Sequence, residues 1–396
     1  MKPYVKLNRL AEYLYTIEYT SFDYEYAYRF MHSRYAPKQA GACSAVYSDN
    51  GLFGKNFDWF YSTDVEFVVI NRGGNYDTIG VAGAVPTLNK EFVESGEDSD
   101  MYKILPFLIN DGMNNAGVFA GLNVVPNGDA GKTTGTNPTS TKPPVSAMML
   151  PRYILDRCGS AKEAVWTIQN LNIYCPHNDN LEEEVHLIVG DIHNQYLIEF
   201  INNKTVVIEL TENKWITNYY RYGAEFLADG HLDWQTLTPH ANGTHRSDII
   251  ADAFAGNTEL YVDDLKVLMR EKLAYTNMYT DNAWMDELCA DYGAGSYGDL
   301  TQEVLHNNPS AFNAVYASAQ TRYQNRERDD KKTWQTCHSN IYDIEALRLN
   351  VVVDEDGVEF DMDMTGSTKP IRKKVMAPCG GLELDETIFD VKEDID

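Results

Sequence analysis

The stretch AGACSAVYSDNGLFGKNFDW, Ala40 to Trp59, sets a cysteine among small residues and follows it with Lys55, Asn56 and Asp58. A buried structural cysteine needs no such company. A nucleophile does, because the thiolate is the attacking form and something must take its proton. Histidine is the usual partner, but the nine histidines, at 32, 177, 186, 193, 231, 240, 245, 306 and 338, form no cysteine-protease signature. Cys43 itself offers another base. If the chain is cut between Ala42 and Cys43, the freed α-amine, with an ordinary pKa of roughly 8, sits on the nucleophile's own residue. Gly41 and Ala42 leave that bond open to attack by the thiol, Asp58 can accept from the new amine, and Lys55 can favour the thiolate. One hairpin would hold the whole nucleophilic apparatus.

The elements that must position these groups are written in the surrounding pattern. CSAVYSD and LFGKNFDW flank a DNG turn, which predicts a hairpin. VEFVVINR reads as a further strand, and VFAGLNVV as an apolar strand after the polar turn NDGMNNAG. VSAMMLPRYILDRC and SAKEAVWTIQNL have helical spacing, the second opening on N-cap Ser160 with Glu163 three residues on. EEVHLIVGD, QYLIEFIN, KTVVIEL and KWITNYY predict an antiparallel meander of four strands. Residues 244–320 read as mostly helical. KKTWQTCHSNIYD, ALRLNVVVDEDG and VEFDMDM then return to strands before a polar tail. With no repeat and no break in composition, this order predicts helices on both faces of antiparallel sheets.

Composition excludes several classes. The 33 basic and 59 acidic residues leave a net charge of −26, with no basic cluster, which disfavours nucleic acid as a partner. No apolar run approaches bilayer-spanning length, and the first twenty residues lack the apolar stretch of a signal peptide. The expectation is a cytoplasmic protein without a membrane partner, or a secreted one if a signal peptide has been removed. Six scattered cysteines do not form a disulfide framework. GDAGKTT is not a phosphate loop, since Pro126 stands where its first glycine belongs. Cys175, His177 and His186 fit no zinc spacing, so neither metal nor cofactor is expected. Trp59, Phe60 and Tyr61 read equally as an acyl pocket or as core.

GKNFDW resembles the G-R-N-x-D leg that follows the catalytic cysteine in the choloylglycine hydrolase family of N-terminal-nucleophile (Ntn) hydrolases. That family includes bile salt hydrolases and penicillin V acylases, with acid ceramidase and N-acylethanolamine amidases as relatives. The resemblance continues in order through NRGGNYDTIGVAG, DGMNNAGVFAGLNVV, LPRYILDRCGSAKEAV, the strands from VHLIVGD to WITNYY, and GTHRSDIIADAF, over roughly residues 43–360.

The resemblance implies an α+β fold, a four-layer αββα Ntn-hydrolase sandwich with two antiparallel sheets between helical layers. It divides the chain into a 1–42 leader or propeptide, a 43–365 hydrolase domain and a 366–396 polar tail. It implies that Cys43 is the nucleophile and Asp58 orients its amine. Asn123 and Asn218 line the site, Asn218 as the better oxyanion donor, and Arg246 stabilises charge. Lys55 departs from the family's arginine. The hairpin is also shorter than in bile salt hydrolases, and the leader is far longer than an initiator Met, pointing to self-cleavage before Cys43. The implied activity is hydrolysis of a linear amide bond in a small N-acyl amine through an acyl-thioester. Alternatives are an acyltransferase on the same scaffold, or bile salt or penicillin V specificity; the leader and the aromatic content tilt the reading towards fatty N-acyl amides. Family members commonly form homo-oligomers.

Overall fold

The computed structural model describes residues 3–31, 42–60, 65–83, 88–126, 140–142, 144–174, 183–201, 204–221, 243–274, 278–279, 333–353, 358–366 and 368–373. The hairpin expected around Cys43 is present. Strands β3 (Ala42–Ser48) and β4 (Leu52–Phe60) are joined by a three-residue turn whose last residue, Gly51, has φ +80°. That left-handed conformation is where glycine avoids the Cβ penalty. The pairing sets Cys43 opposite Phe57, Ala45 opposite Lys55 and Ala42 opposite Asp58.

Strands β1 (Lys6–Arg9) and β2 (Leu14–Tyr19) precede this hairpin, with helix α1 (Tyr24–Met31) between β2 and β3. After it come β5 (Glu66–Asn71), β6 (Thr78–Ala82), helices α2 (Lys90–Ser95) and α3 (Met101–Ile104), β7 (Asp111–Asn114) and β8 (Phe119–Pro126). Short strands β9 (Pro144–Ser146) and β10 (Asn172–Tyr174) pair in parallel around helices α4 (Leu150–Leu155) and α5 (Ala161–Gln169). Ser160 caps α5 by accepting from Glu163 N at 3.2 Å, and Glu163 Oε2 returns to Gly159 N at 2.7 Å. The expected capping box has closed one residue further upstream than its ideal form.

Next come β11 (Glu183–Gly190), β12 (Gln195–Ile201), β13 (Lys204–Glu209), β14 (Trp215–Ile216), α6 (Gly243–Ala253) and α7 (Val262–Val267). Helix α7 runs on into a π-helical turn, Leu268–Lys272. Strands β15 (Met278–Tyr279), β16 (Thr333–Asp343), β17 (Arg348–Val353), β18 (Val358–Asp363) and β19 (Thr368–Lys373) complete the order.

Two large sheets result. One runs β1-β2-β5-β6-β7-β8-β11-β12-β13 and the other β14-β3-β4-β16-β17-β18-β19, with β15 beside β16. Both are antiparallel except that β2 and β5 run parallel. Three apolar clusters define the layers. Tyr15, Ile17, Phe67, Ala120, Leu122 and Leu187 of the first sheet pack against Met31, Tyr102, Ile154 and Ile168 of the helices. Leu14, Val68, Ile79 and Phe119 of the same sheet face Ala45, Tyr47, Phe53 and Val351 of the second. Val46, Leu52 and Ile341, on the second sheet's far face, pack on Ile250, Leu265, Leu268 and Met269. Helix, sheet, sheet, helix: the fold is the expected αββα sandwich.

Three features differ from the sequence reading. The predicted meander breaks after β13, because β14 crosses to the second sheet and pairs Trp215 with Val46 and Ile216 with Ala45. Its apolar pair is buried there, and no local pattern distinguishes that partner from β13. Residues 6–19 of the expected leader lie in the first sheet. Thr368–Lys373, within the expected tail, is an edge strand; residues 374–396, like 275–277 and 280–320 of the stretch 244–320 expected to be mostly helical, lie outside the described residues. No described helix is long and apolar enough to cross a membrane.

Candidate active site

Cys43 opens β3, and its thiol and main chain are reached from different sides. The side chains of Ala45, Tyr47 and Phe53 point between the sheets, and the register puts Cys43, Lys55 and Phe57 on that same inner face. Asn123, on the inner face of β8, donates Nδ2 to Cys43 O at 3.2 Å and to Ile216 O and Thr217 O at 3.1 Å. From the outer face, α6 brings Arg246, whose Nη1 donates to Cys43 O at 2.5 Å and Ser44 Oγ at 2.6 Å. Its Nη2 donates to Asn218 Oδ1.

Asn218 follows directly on the crossing strand β14. Its Oδ1 accepts from Cys43 N at 2.7 Å and its Nδ2 donates to Val124 O at 2.6 Å. The amide orientation follows from chemistry, since a peptide N–H and a guanidinium can only donate. His186 Nε2, 2.8 Å from Thr217 O, steadies the same segment. The crossing that broke the predicted meander is therefore what delivers Asn218 to Cys43.

Asp58 is fully buried next to the Ala42–Cys43 bond. Thr336 Oγ1 donates to its Oδ1 at 2.5 Å, while Oδ2 lies 3.6 Å from Arg246 Nη1. Among the described residues no hydrogen-bond donor reaches Oδ2. Burial pushes the Asp58 carboxyl up to about 6, with Arg246, then Thr336 and Lys55, pulling the other way. Burial likewise raises the Cys43 thiol; Lys55 opposes it, Asp58 adds to it, and Arg246 opposes it.

The structure thus gathers Cys43, Lys55, Asp58, Asn123, Asn218 and Arg246 at one point. Trp59 and Phe60 end β4, but their side chains, all of Tyr61 and the side chain of Ala42 lie outside the described residues, as do Cys175 and His177. His186 is a buried partner of the Thr217 carbonyl. Among the described residues no group of three His, Cys, Asp or Glu side chains could hold a metal ion.

Sequence reading missed Ser44 and Thr336, and also a buried cluster between the sheets. His338 on β16 lies 2.7 Å from Glu66 Oε2 and 3.4 Å from Asp111 Oδ2. Asn340 and Tyr342 donate to Asp111 Oδ1, and Phe57 stacks on the imidazole. Polar His338, Asn340 and Tyr342 at strand period two were the available signal. Burial lowers the basicity of His338, but Glu66 and Asp111 outweigh it, and the imidazole rises to about 9.

This carries a stability consequence. The folded pKa lies above the unfolded one of about 6.5, so the contribution is complete below pH ~6.5 and disappears as pH rises through ~9. Unfolding free energies of the wild type from urea titrations should fall across that window, by roughly 3 kcal/mol in all. His338→Gln should flatten the slope, and an unchanged slope in the variant would rule the cluster out as its source.

Residues 43–258 match the model of the linear amide C–N hydrolases, choloylglycine hydrolase family. This is more than half of the chain, and it spans all six gathered side chains. The chain belongs to the choloylglycine hydrolase family. Membership makes it a hydrolase of linear amide C–N bonds. Among solved structures it is similar to a conjugated bile acid hydrolase from Clostridium perfringens, at 13% identity over 86% of this chain and 100% of that one, with TM-score 0.49. It is also similar to a penicillin V acylase from Agrobacterium tumefaciens, at 14% identity over 88% of this chain and 98% of that one, with TM-score 0.39. No curated protein matches it.

Proposed function

We propose that this choloylglycine hydrolase family member is an Ntn cysteine amidase that cuts itself between Ala42 and Cys43 and then hydrolyses a small N-acyl amine. One observation supports this above the others. Three side chains grip the main chain of Cys43: Asn218 its N–H, and Arg246 and Asn123 its carbonyl. A structural cysteine has no use for that grip, whereas a nucleophile whose own nitrogen becomes the base depends on it.

After cleavage the α-amine can donate to Asp58 Oδ2, the carboxylate oxygen that no donor reaches among the described residues. The thiol adds to the substrate carbonyl while the amine takes its proton. The amine then passes the proton to the leaving nitrogen, and water hydrolyses the thioester to release the acid. Asn218 stabilises the oxyanion through Nδ2, the amide group that donates to Val124 O in the intact chain, and one such donor is worth about 10²–10³ in rate. Arg246 balances charge at the nucleophile. Strands β1 and β2 stay in place as a non-covalent part of the first sheet. A fatty acyl group is the substrate class favoured here.

Intact mass and N-terminal sequencing of wild type beside Cys43→Ala test the reading. Wild type should yield one fragment beginning at Cys43 with a co-purifying 1–42 peptide, and should hydrolyse N-acyl amides. The variant should remain a single inactive chain. An uncut, inactive wild type, or a cut variant, would sink it.

A further inference from the structure

In the intact chain the nitrogen of Cys43 is an amide, already donating to Asn218 Oδ1. It cannot take a proton, so the base that serves turnover is missing at the moment of self-cleavage. Some other group must accept the thiol proton and later hand it to the departing nitrogen.

The neighbours can be compared on their chemistry. Asp58 sits on the outer face of the sheet, engaged by Thr336 and Arg246. Arg246 holds a guanidinium, which does not release its proton. His338 is held between Glu66 and Asp111, directly opposite Phe57 on the neighbouring strand. Lys55 is different. It lies diagonally from Cys43 on the same inner face, with Ala45 directly opposite, and is completely buried. Its Nζ donates to Asn56 O at 2.8 Å, and its charge opposes the effect of burial on the Cys43 thiol. Among the described residues no carboxylate forms a salt bridge with it.

We propose that Lys55 is the proton carrier of the self-cleavage step, a catalytic residue for maturation. In its neutral form the amine takes the proton from Sγ as sulfur bonds to the Ala42 carbonyl carbon. As the Ala42–Cys43 C–N bond breaks, the ammonium passes that proton to the Cys43 nitrogen, leaving a thioester and a free α-amine. Water then cleaves the thioester, releasing the Ala42 carboxylate and regenerating the thiol. Lys55 ends as it began. A guanidinium could lend charge here but could not carry the proton, so lysine at this position has a role that arginine cannot fill.

The inference rests on the self-cleaving reading above. Its test is full-length chain made by cell-free synthesis, with cleavage followed over time by intact mass for wild type, Lys55→Arg and Lys55→Met, and folding checked by melting temperature. Both variants should cleave about 10²-fold more slowly or worse. If Lys55→Arg cleaves at the wild-type rate, charge alone suffices and the proposal falls while self-cleavage stands; a fast Lys55→Met overturns it equally. A wild type that never cleaves ends both readings. Should the variants fail to fold, the wild-type pH profile decides. Cys43, Asp58 and the Glu66–His338–Asp111 cluster are the other titratable groups around Lys55, and cleavage should rise along an ionisation to a plateau. A rate that climbs in proportion to hydroxide without limit rejects a protein base.

Discussion

A chain made without residues 1–42 is expected not to fold, although it carries every candidate catalytic side chain. Strand β2 pairs with β5 along six register positions, Leu14 with Glu66 through Tyr19 with Asn71. Leu14 enters the core between the sheets. Tyr15, Ile17, Tyr19 and Met31 enter the core beneath the helices. All five are buried, and each such side chain is worth about 1.5–3 kcal/mol. Their combined loss rivals the entire ~5–15 kcal/mol stability of an ordinary domain. Truncation would also strip one of the two partners from β5, whose first residue, Glu66, holds His338. Expression should give insoluble protein, and co-expressing residues 1–42 as a separate peptide should restore soluble, cooperatively melting material. A soluble truncated chain with a wild-type melting temperature would show that the segment is dispensable, and would return it to the status of a simple leader.

The sequence was most readable where structure is local. The Cys43 hairpin was visible because period-two alternation and a DNG turn agree, and α5 because Ser160 and Glu163 mark its start. Cys43, Lys55 and Asp58 were legible for the same reason: one hairpin carries them. Asn123, Asn218 and Arg246 came only through resemblance, since strands and helices distant in sequence bring them to Cys43. What stayed hidden depends on long-range pairing. The move of β14 to the second sheet and the parallel β2–β5 pair are choices among partners of similar apolarity, decided by which faces the whole chain buries. The Glu66–His338–Asp111 cluster spans both sheets, so each member looked like an ordinary polar residue in its own strand.

Replacing Arg246 by Met is expected to cost more than any substitution in the site that spares Cys43. The guanidinium serves Cys43 O, Ser44 Oγ and Asn218 Oδ1 together, with Asp58 Oδ2 3.6 Å away. Removing one partner of a buried charge pair leaves the other uncompensated, at about 3–5 kcal/mol. The chain should melt at lower temperature, and kcat/KM of the cleaved fraction should fall about 10²-fold or more. The pH profile separates a direct effect from mere loosening. Arg246 is the leading influence holding Asp58 down against burial, which already lifts it to about 6. Without it the carboxyl rises further, so the ionised form, to which the proposed function gives the orienting of the amine, is lost at higher pH. The acid limb of kcat/KM should therefore move towards neutrality in Arg246→Met. In Arg246→Lys the limb should stay near its wild-type position, because a point charge remains. The lysine should nevertheless leave activity well below wild type, since one ammonium cannot reproduce the fork that spans Cys43, Ser44 and Asn218. A wild-type acid limb in the Met variant would mean that Asp58 does not sense Arg246, and that the cation acts on the main chain of Cys43 alone.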